Sequence, residues 1–315
     1  MQLPFELQRA IEALTETFST KNLRSAREKV SADYRQGQRS SFQNKEELLS
    51  YLVTRMPATY AANREVFQAI RERLPEFQVK SLLDLGAGPG TASWAALDTF
   101  VELERLYLIE REQNAIEIGK KLGLGHADWQ CAALEDSWQT GSVDLAILSY
   151  VFAEMSQKNS LVLLERLFKE KISLIAIIEP GTPKGFEKIL SFREFALQKG
   201  AQIIAPCPHH FQCPMQGNSW CHFSARVERS RLHRQLKEGS LGFEDEKYSY
   251  LVFANRSKNL PMIEGRVVRS PFKGSGFVKL PLCAQDGKLK EITVTRSDKE
   301  NYRIARDIKW GDIWK

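Results

Sequence analysis

Ser81-Leu-Leu-Asp84-Leu-Gly86-Ala87-Gly88-Pro-Gly90-Thr91 changes character at its midpoint: five residues suited to a buried strand run into three glycines at alternate positions. Glycines so placed let the backbone turn sharply and let a ligand approach without meeting a Cβ. Strand-like and helix-like stretches alternate from here onward. The spacing predicts further strands over 103–110, 129–134, 143–150 and 174–179, with helices over 94–100, 113–122, 160–168 and 185–199. Strands separated by helices make right-handed crossovers, so the expected fold is α/β: a doubly wound, mostly parallel sheet with helices on both faces. A basic helix around 226–237 and a late antiparallel edge strand over 248–254 complete the expectation.

The glycine loop admits several readings. A phosphate-cradling Walker loop is excluded, because no Gly-Lys-Ser/Thr follows. A dinucleotide site wants its third glycine one place later, where the chain has Thr91. S-adenosylmethionine has no pyrophosphate and carries a sulfonium and an ammonium group. Asp84, ending the first strand, suits such a cation, and Glu110, ending the second, can accept both ribose hydroxyls. The cofactor-binding set is therefore Asp84, Gly86, Ala87, Gly88, Gly90 and Glu110, in the pattern of a class I methyltransferase. An ordinary strand-to-helix turn is the structural alternative.

Residues 205–223 carry three of the five cysteines, Cys207, Cys213 and Cys221, among Pro206, Pro208, Pro214 and Gly217. Such a segment is an irregular loop that buries little apolar surface, and thiolate binding of a metal or cluster can supply its order. Cys283, in a strand-like stretch 62 residues on, is the fourth ligand expected; Cys131 reads as a scattered buried thiol. Zinc sites usually pair cysteines two to four residues apart. The wider spacing here suits an iron–sulfur cubane somewhat better and leaves zinc open. His209, His210 and His222 can act as substitute ligands or as donors to the thiolates.

The 315 residues are 43% hydrophobic and 27% charged, the balance of a soluble globular protein. The apolar runs are too short to span a bilayer. Residues 1–10 lack the basic start and apolar run of a secretory signal, so a cytoplasmic location is expected and disulfides are not. The net charge of +6 is uneven: residues 254–315 hold 14 Lys/Arg against 7 Asp/Glu. A basic appendage suggests a polyanionic partner, nucleic acid before membrane. Three segments are expected: a helical extension over 1–77, the sheet domain with its cysteine loop over 78–254, and a basic strand-rich segment over 255–315 tied back through Cys283. In the first, Lys21, Arg24, Arg27, Lys29, Arg35 and Arg39 form a basic helical face.

Together these motifs resemble one family. Leu-Leu-Asp84-Leu-Gly-Ala-Gly-Pro-Gly-Thr, Ala-Pro-Cys207-Pro-His-x3-Cys213-Pro, Trp220-Cys221-His222-Phe, Arg266-Val-Val-Arg-Ser-Pro, Leu-Cys283-x3-Gly and Trp310-Gly-Asp312 look like the methyltransferase-like family associated with the mitochondrial small ribosomal subunit, in a bacterial-type version. The likeness runs from about residue 60 to the C-terminus. It implies a class I methyltransferase fold, S-adenosylmethionine as ligand, and a [4Fe–4S] cluster on Cys207, Cys213, Cys221 and Cys283. It also implies a role in small-subunit assembly, with that subunit's RNA and proteins as partners.

No catalytic residue can be assigned. Base-amine methyltransferases commonly carry Asn/Asp-Pro-Pro-aromatic after the fourth strand, where this chain has Ser149-Tyr150-Val151-Phe152. Pyrimidine-carbon methyltransferases use a cysteine nucleophile, and Pro206-Cys207 lies past the fifth strand with its thiol claimed by the cluster. Glu154 and Glu179 sit near strand ends facing the expected crevice. Three functions are carried forward: an RNA methyltransferase, a catalytically silent RNA-binding assembly factor, and a zinc-stabilised small-molecule methyltransferase.

Overall fold

Runs of Leu, Ile, Val and Ala without polar alternation belong in strands buried on both faces, and the computed structural model places them so. It describes residues 1–35, 42, 44–215, 217 and 219–315. Four helices come first: α1 (Phe5–Thr15), α2 (Thr20–Arg35), α3 (Lys45–Thr54) and α4 (Met56–Arg73). Asn44 caps α3 by accepting from the Glu47 amide, and Pro57 stands in the first turn of α4, where its missing N–H costs nothing. The α/β alternation follows as β1 (Ser81–Leu85), α5 (Thr91–Leu97), β2 (Arg105–Glu110), α6 (Gln113–Gly119), β3 (Asp128–Cys131), β4 (Val143–Ser149), α7 (Gln157–Lys169), β5 (Ile172–Pro180) and α8 (Pro183–Gln198). Next come β6 (Gln202–Ala205), β7 (Phe223–Glu228), α9 (Arg231–Lys237) and β8 (Phe243–Ala254). The chain ends with β9 (Gly265–Val267), β10 (Phe272–Gly274), β11 (Phe277–Ala284), β12 (Leu289–Thr295), α10 (Lys299–Asp307) and β13 (Ile313–Trp314).

These elements form two compact units that interleave along the chain. The first comprises residues 1–68, 78–178 and 225–246, the second 69–77, 179–224 and 247–315. In the first unit β3, β2, β1, β4 and β5 lie side by side and all parallel, with β1 flanked by β2 and β4. The order reverses at β1, and the carboxyl ends of β1 and β4 beside such a reversal are where doubly wound sheets bind ligands. Leu7, Leu23, Leu48, Leu49 and Leu52 from the first helices share a core with Ile118, Leu122 and Leu236.

In the second unit β8 runs antiparallel to β6. A separate antiparallel sheet has β11 at its centre, bonded to β10, β12 and β9, with β13 beyond β9. Val267, Val278, Leu280, Leu282 and Val294 on one face of that sheet pack with Ala305 and Ile308 of the α10 region.

Three local expectations change. Residues 223–228 are a strand, because Phe223, Ala225 and Val227 are buried while alternate residues face out, and only 231–237 is helical. The late strand begins at Phe243 and carries β6 beside it, so it is not the edge. The basic helical face is neutralised in part among the described residues: Arg24 pairs with Glu238 at 2.6 Å, Lys29 with the buried Glu47 at 2.9 Å, and Arg27 lies 3.6 Å from Glu28. Arg39 lies outside the described residues. No helix among the described residues is long and apolar enough to cross a membrane.

Candidate ligand crevice and cysteine pocket

The glycine loop joins β1 to α5 and is pinned to the next strand, with the amides of Gly86 and Ala87 donating to the Ile109 carbonyl at 2.9 and 3.1 Å. Gly86, Gly88 and Gly90 all have positive φ, 70°, 54° and 84°. Their surroundings differ. A Cβ on Gly90 would lie 2.2 Å from Leu124 and one on Gly86 2.8 Å from Val151, whereas a Cβ on Gly88 would meet nothing within 4 Å. The first and third glycines are thus required by packing, and the middle one faces open space.

The two acids are held by the loop itself. Asp84 is buried, and its Oδ2 accepts from the Ser93 amide at 3.1 Å and the Ser93 hydroxyl at 2.7 Å, fastening β1 to the first turn of α5. Glu110 accepts from the Gly88 amide at 2.7 Å through Oε2 and from the Glu112 amide at 2.9 Å through Oε1. Burial pushes the Asp84 carboxyl up to about 7, against the pull of its Ser93 hydrogen bonds and with Glu110 pushing the same way.

Because the folded value is raised, protonated Asp84 stabilises the fold. That contribution is fully present below the unfolded carboxylate value of ~3.9 and is lost as pH rises through about 7. Urea unfolding of wild type and Asp84→Asn at about pH 4.5 and pH 7.5 measures it. The loss of stability with rising pH is expected to be smaller in the variant by about 3 kcal/mol.

Side chains from α3 and α4 reach the glycine loop and the end of β4. Tyr51 of α3 lies with its hydroxyl 3.3 Å from Thr91 Oγ1, at the exit of the glycine loop. Asn63 of α4 is fully buried and donates to Ser149 Oγ at 2.8 Å, while its Oδ1 has no hydrogen-bond partner among the described residues. Tyr150, just past β4, takes the left-handed conformation at φ 62°, uncommon for a bulky residue. Its hydroxyl donates to Glu246 at 3.0 Å, and Arg55 grips the same carboxylate with both terminal nitrogens at 3.1 and 3.2 Å. The N-terminal helices therefore contact the exit of the glycine loop and the end of β4 as well as packing beside the sheet. Glu154 lies 3.5 Å from Arg111.

In the second unit, Cys207, Cys213, Cys221 and Cys283 all line one pocket, with Pro206, Pro208, Pro214, Met215 and Phe186 around them. Cys283 stands in β11 opposite Arg266 of β9, and its Sγ lies 3.3 Å from His209 Nε2. Burial raises the Cys213 and Cys221 thiols, and neighbouring thiols push both further. Cys283 is pushed to about 12, by burial first and then by Cys207 and Cys213. Two buried arginines attend the cluster. Arg193 donates to the carbonyls of His209 and Phe211, and Arg266 to those of Pro206 and Gly311. Yet Arg193 Nε, Arg266 Nη2 and His209 Nδ1 have no hydrogen-bond partner among the described residues. Also among those residues, no three His, Cys, Asp or Glu side chains stand as a set that could hold a metal ion. Glu179, at the end of β5, is fully buried and acts electrostatically on Lys188. Cys131, expected to be buried, is exposed, because it ends β3, whose residues are only partly covered.

A parallel sheet reversing at β1, a glycine loop at that point and acids ending β1 and β2 define a class I methyltransferase-like protein. Within that class the chain belongs to the family described as mitochondrial small ribosomal subunit Rsm22, whose model matches residues 45–315. The match takes in α3, earlier than the motifs alone indicated. Human mitochondrial ribosome assembly protein METTL17 is 25% identical over 343 residues, covering 98% of this chain and 73% of that protein. The mitochondrial Rsm22-cox11 tandem protein 2 of Schizosaccharomyces pombe is 25% identical over 331 residues, covering 85% of this chain and 43% of its own length. Among solved structures, magnesium protoporphyrin IX methyltransferase from Synechocystis PCC 6803 with bound SAM aligns with a TM-score of 0.42 at 9% identity, over 75% of this chain and 96% of that one.

Proposed function

We propose that the protein binds S-adenosylmethionine in the crevice of the first unit and acts on, or binds, small-subunit ribosomal RNA during assembly of that subunit. The observation that carries the ligand is Gly88: it alone of the three loop glycines faces open space, and its amide meets the Glu110 carboxylate that a ribose would engage. When bound, the donor supplies a methyl group on a sulfonium, which a nucleophilic acceptor can attack with little acid–base help. The ribosomal part rests on family membership and on the relatives' own description as assembly proteins.

We further propose that Cys207, Cys213, Cys221 and Cys283 hold a [4Fe–4S] cluster. The donor set fits: four thiols line one pocket beside buried arginines with uncommitted N–H groups, a setting suited to an anionic thiolate-rich group. The cluster's role here is to order the loop, since its binding free energy becomes ordering free energy.

A second reading has its own support. Val151 packs onto Gly86, and the segment after β4 is tied to Glu246 through Tyr150 with no proline-based amine clamp. That arrangement favours a silent assembly factor for which donor binding is structural. Cells carrying Gly88→Asp, and purified protein given labelled donor with immature small-subunit RNA, separate the two. Methyl incorporation lost in the variant, together with lost assembly, is expected of an enzyme; no incorporation and near-normal assembly identifies the silent factor.

A further inference from the structure

We propose that the outer face of the β10–β11–β12 sheet is a stacking platform for single-stranded RNA. The inference rests on the RNA-binding reading above and names the surface and the form of RNA. On β11, Val278, Leu280 and Leu282 turn inward to the core, so Phe277, Lys279 and Pro281 face the other way. The register places Phe272 of β10 and Thr293 of β12 on either side of Lys279, and Thr295 beside Phe277. Phe272 is 61% exposed, an unusual state for a residue that gains so much from burial.

The two rings stand 6.0 Å apart at 38°. A Cβ on Gly274, directly opposite Phe277, would lie 2.5 Å from the Phe277 ring. Glycine there lets the ring lie down on the neighbouring strand and turn its face outward. Outward ring faces on a flat sheet suit unstacked bases, which every nucleotide can offer, and a duplex keeps its bases stacked inside. Charge fits the same occupant. Lys279 lies opposite Phe272 and two residues from Phe277 on the same face, its exposed pairing with Glu291 at 3.0 Å is weak enough to exchange for a phosphate, and Arg296 flanks Gly276 at the turn beside Phe277. The segment from residue 254 holds twice as many Lys/Arg as Asp/Glu, 14 against 7.

Fluorescence anisotropy of the full chain tests this, with a labelled 12-nucleotide single-stranded RNA of mixed sequence and the same strand annealed to its complement. Wild type is expected to prefer the single strand, and Phe272→Ala/Phe277→Ala to bind it at least about tenfold more weakly, with the salt dependence unchanged. Phe272→Ser alone, at a site with little packing to lose, is expected to weaken it several-fold. Equal binding by wild type and both variants, or no preference over duplex, overturns the platform while sparing the RNA reading. Failure of wild type to bind either RNA overturns both.

Discussion

A Cys283→Ser chain purified without oxygen is expected to lose most of its iron, falling from about four atoms per chain to below about one, and to expose residues 206–222 to protease. Serine nearly preserves volume and leaves the β11 hydrogen bonds intact, so the sheet itself has no reason to fail. What disappears is the one thiolate that reaches the loop from another strand. The loop from Cys207 to Cys221 contains no helix or strand among its described residues, and it packs on a small apolar cluster around Phe186, Met215 and Val268. Loss of the bound group should therefore read out there first, as cleavage at least about tenfold faster than in wild type. Full iron content with native protease resistance would show that the four cysteines do not act together.

Gly88→Asp is expected to abolish donor binding, with affinity down by at least about a hundredfold, while the fold survives. A Cβ at that position meets nothing within 4 Å, so the substitution clashes with no neighbour at its first atom. The positive φ costs some stability, but the larger effect is placement: a carboxylate would enter the open space and face the Glu110 carboxylate held 2.7 Å from the Gly88 amide. Gly90→Ala makes the contrasting case. Its Cβ would strike Leu124 at 2.2 Å, so it is expected to destabilise the whole unit. Thermal unfolding with and without donor distinguishes the variants: Gly88→Asp melts slightly below wild type and loses the ligand-induced rise, whereas Gly90→Ala melts far lower.

How much of this was legible in the sequence follows from range. The five parallel strands were readable because apolar runs buried on both faces announce themselves, and their ends shifted by at most three residues. The strand at 223–228 was hidden because its outward positions, Arg226 and Glu228 among them, imitate a basic helix when read with 231–237. β6 is four residues long and follows directly on the turn that ends α8, too short for a period to show. The acids ending β1 and β2 were readable from position, whereas their bonds to Ser93 and the Gly88 amide are products of the folded turn. Tyr51, Asn63 and the Arg55–Glu246–Tyr150 cluster join parts of the chain 40 to 191 residues apart and leave no local pattern. The cysteines were found by their type and the loop's prolines; only the fold brings Cys283 to the same pocket.

The most direct measurement is equilibrium binding of S-adenosylmethionine to the wild-type chain by calorimetry, with the dinucleotide NAD as the competing candidate. One donor molecule per chain, displaced by S-adenosylhomocysteine and indifferent to NAD, is the expected result. No heat with the donor at millimolar concentration, or saturable binding of NAD in its place, would contradict the assignment of the crevice.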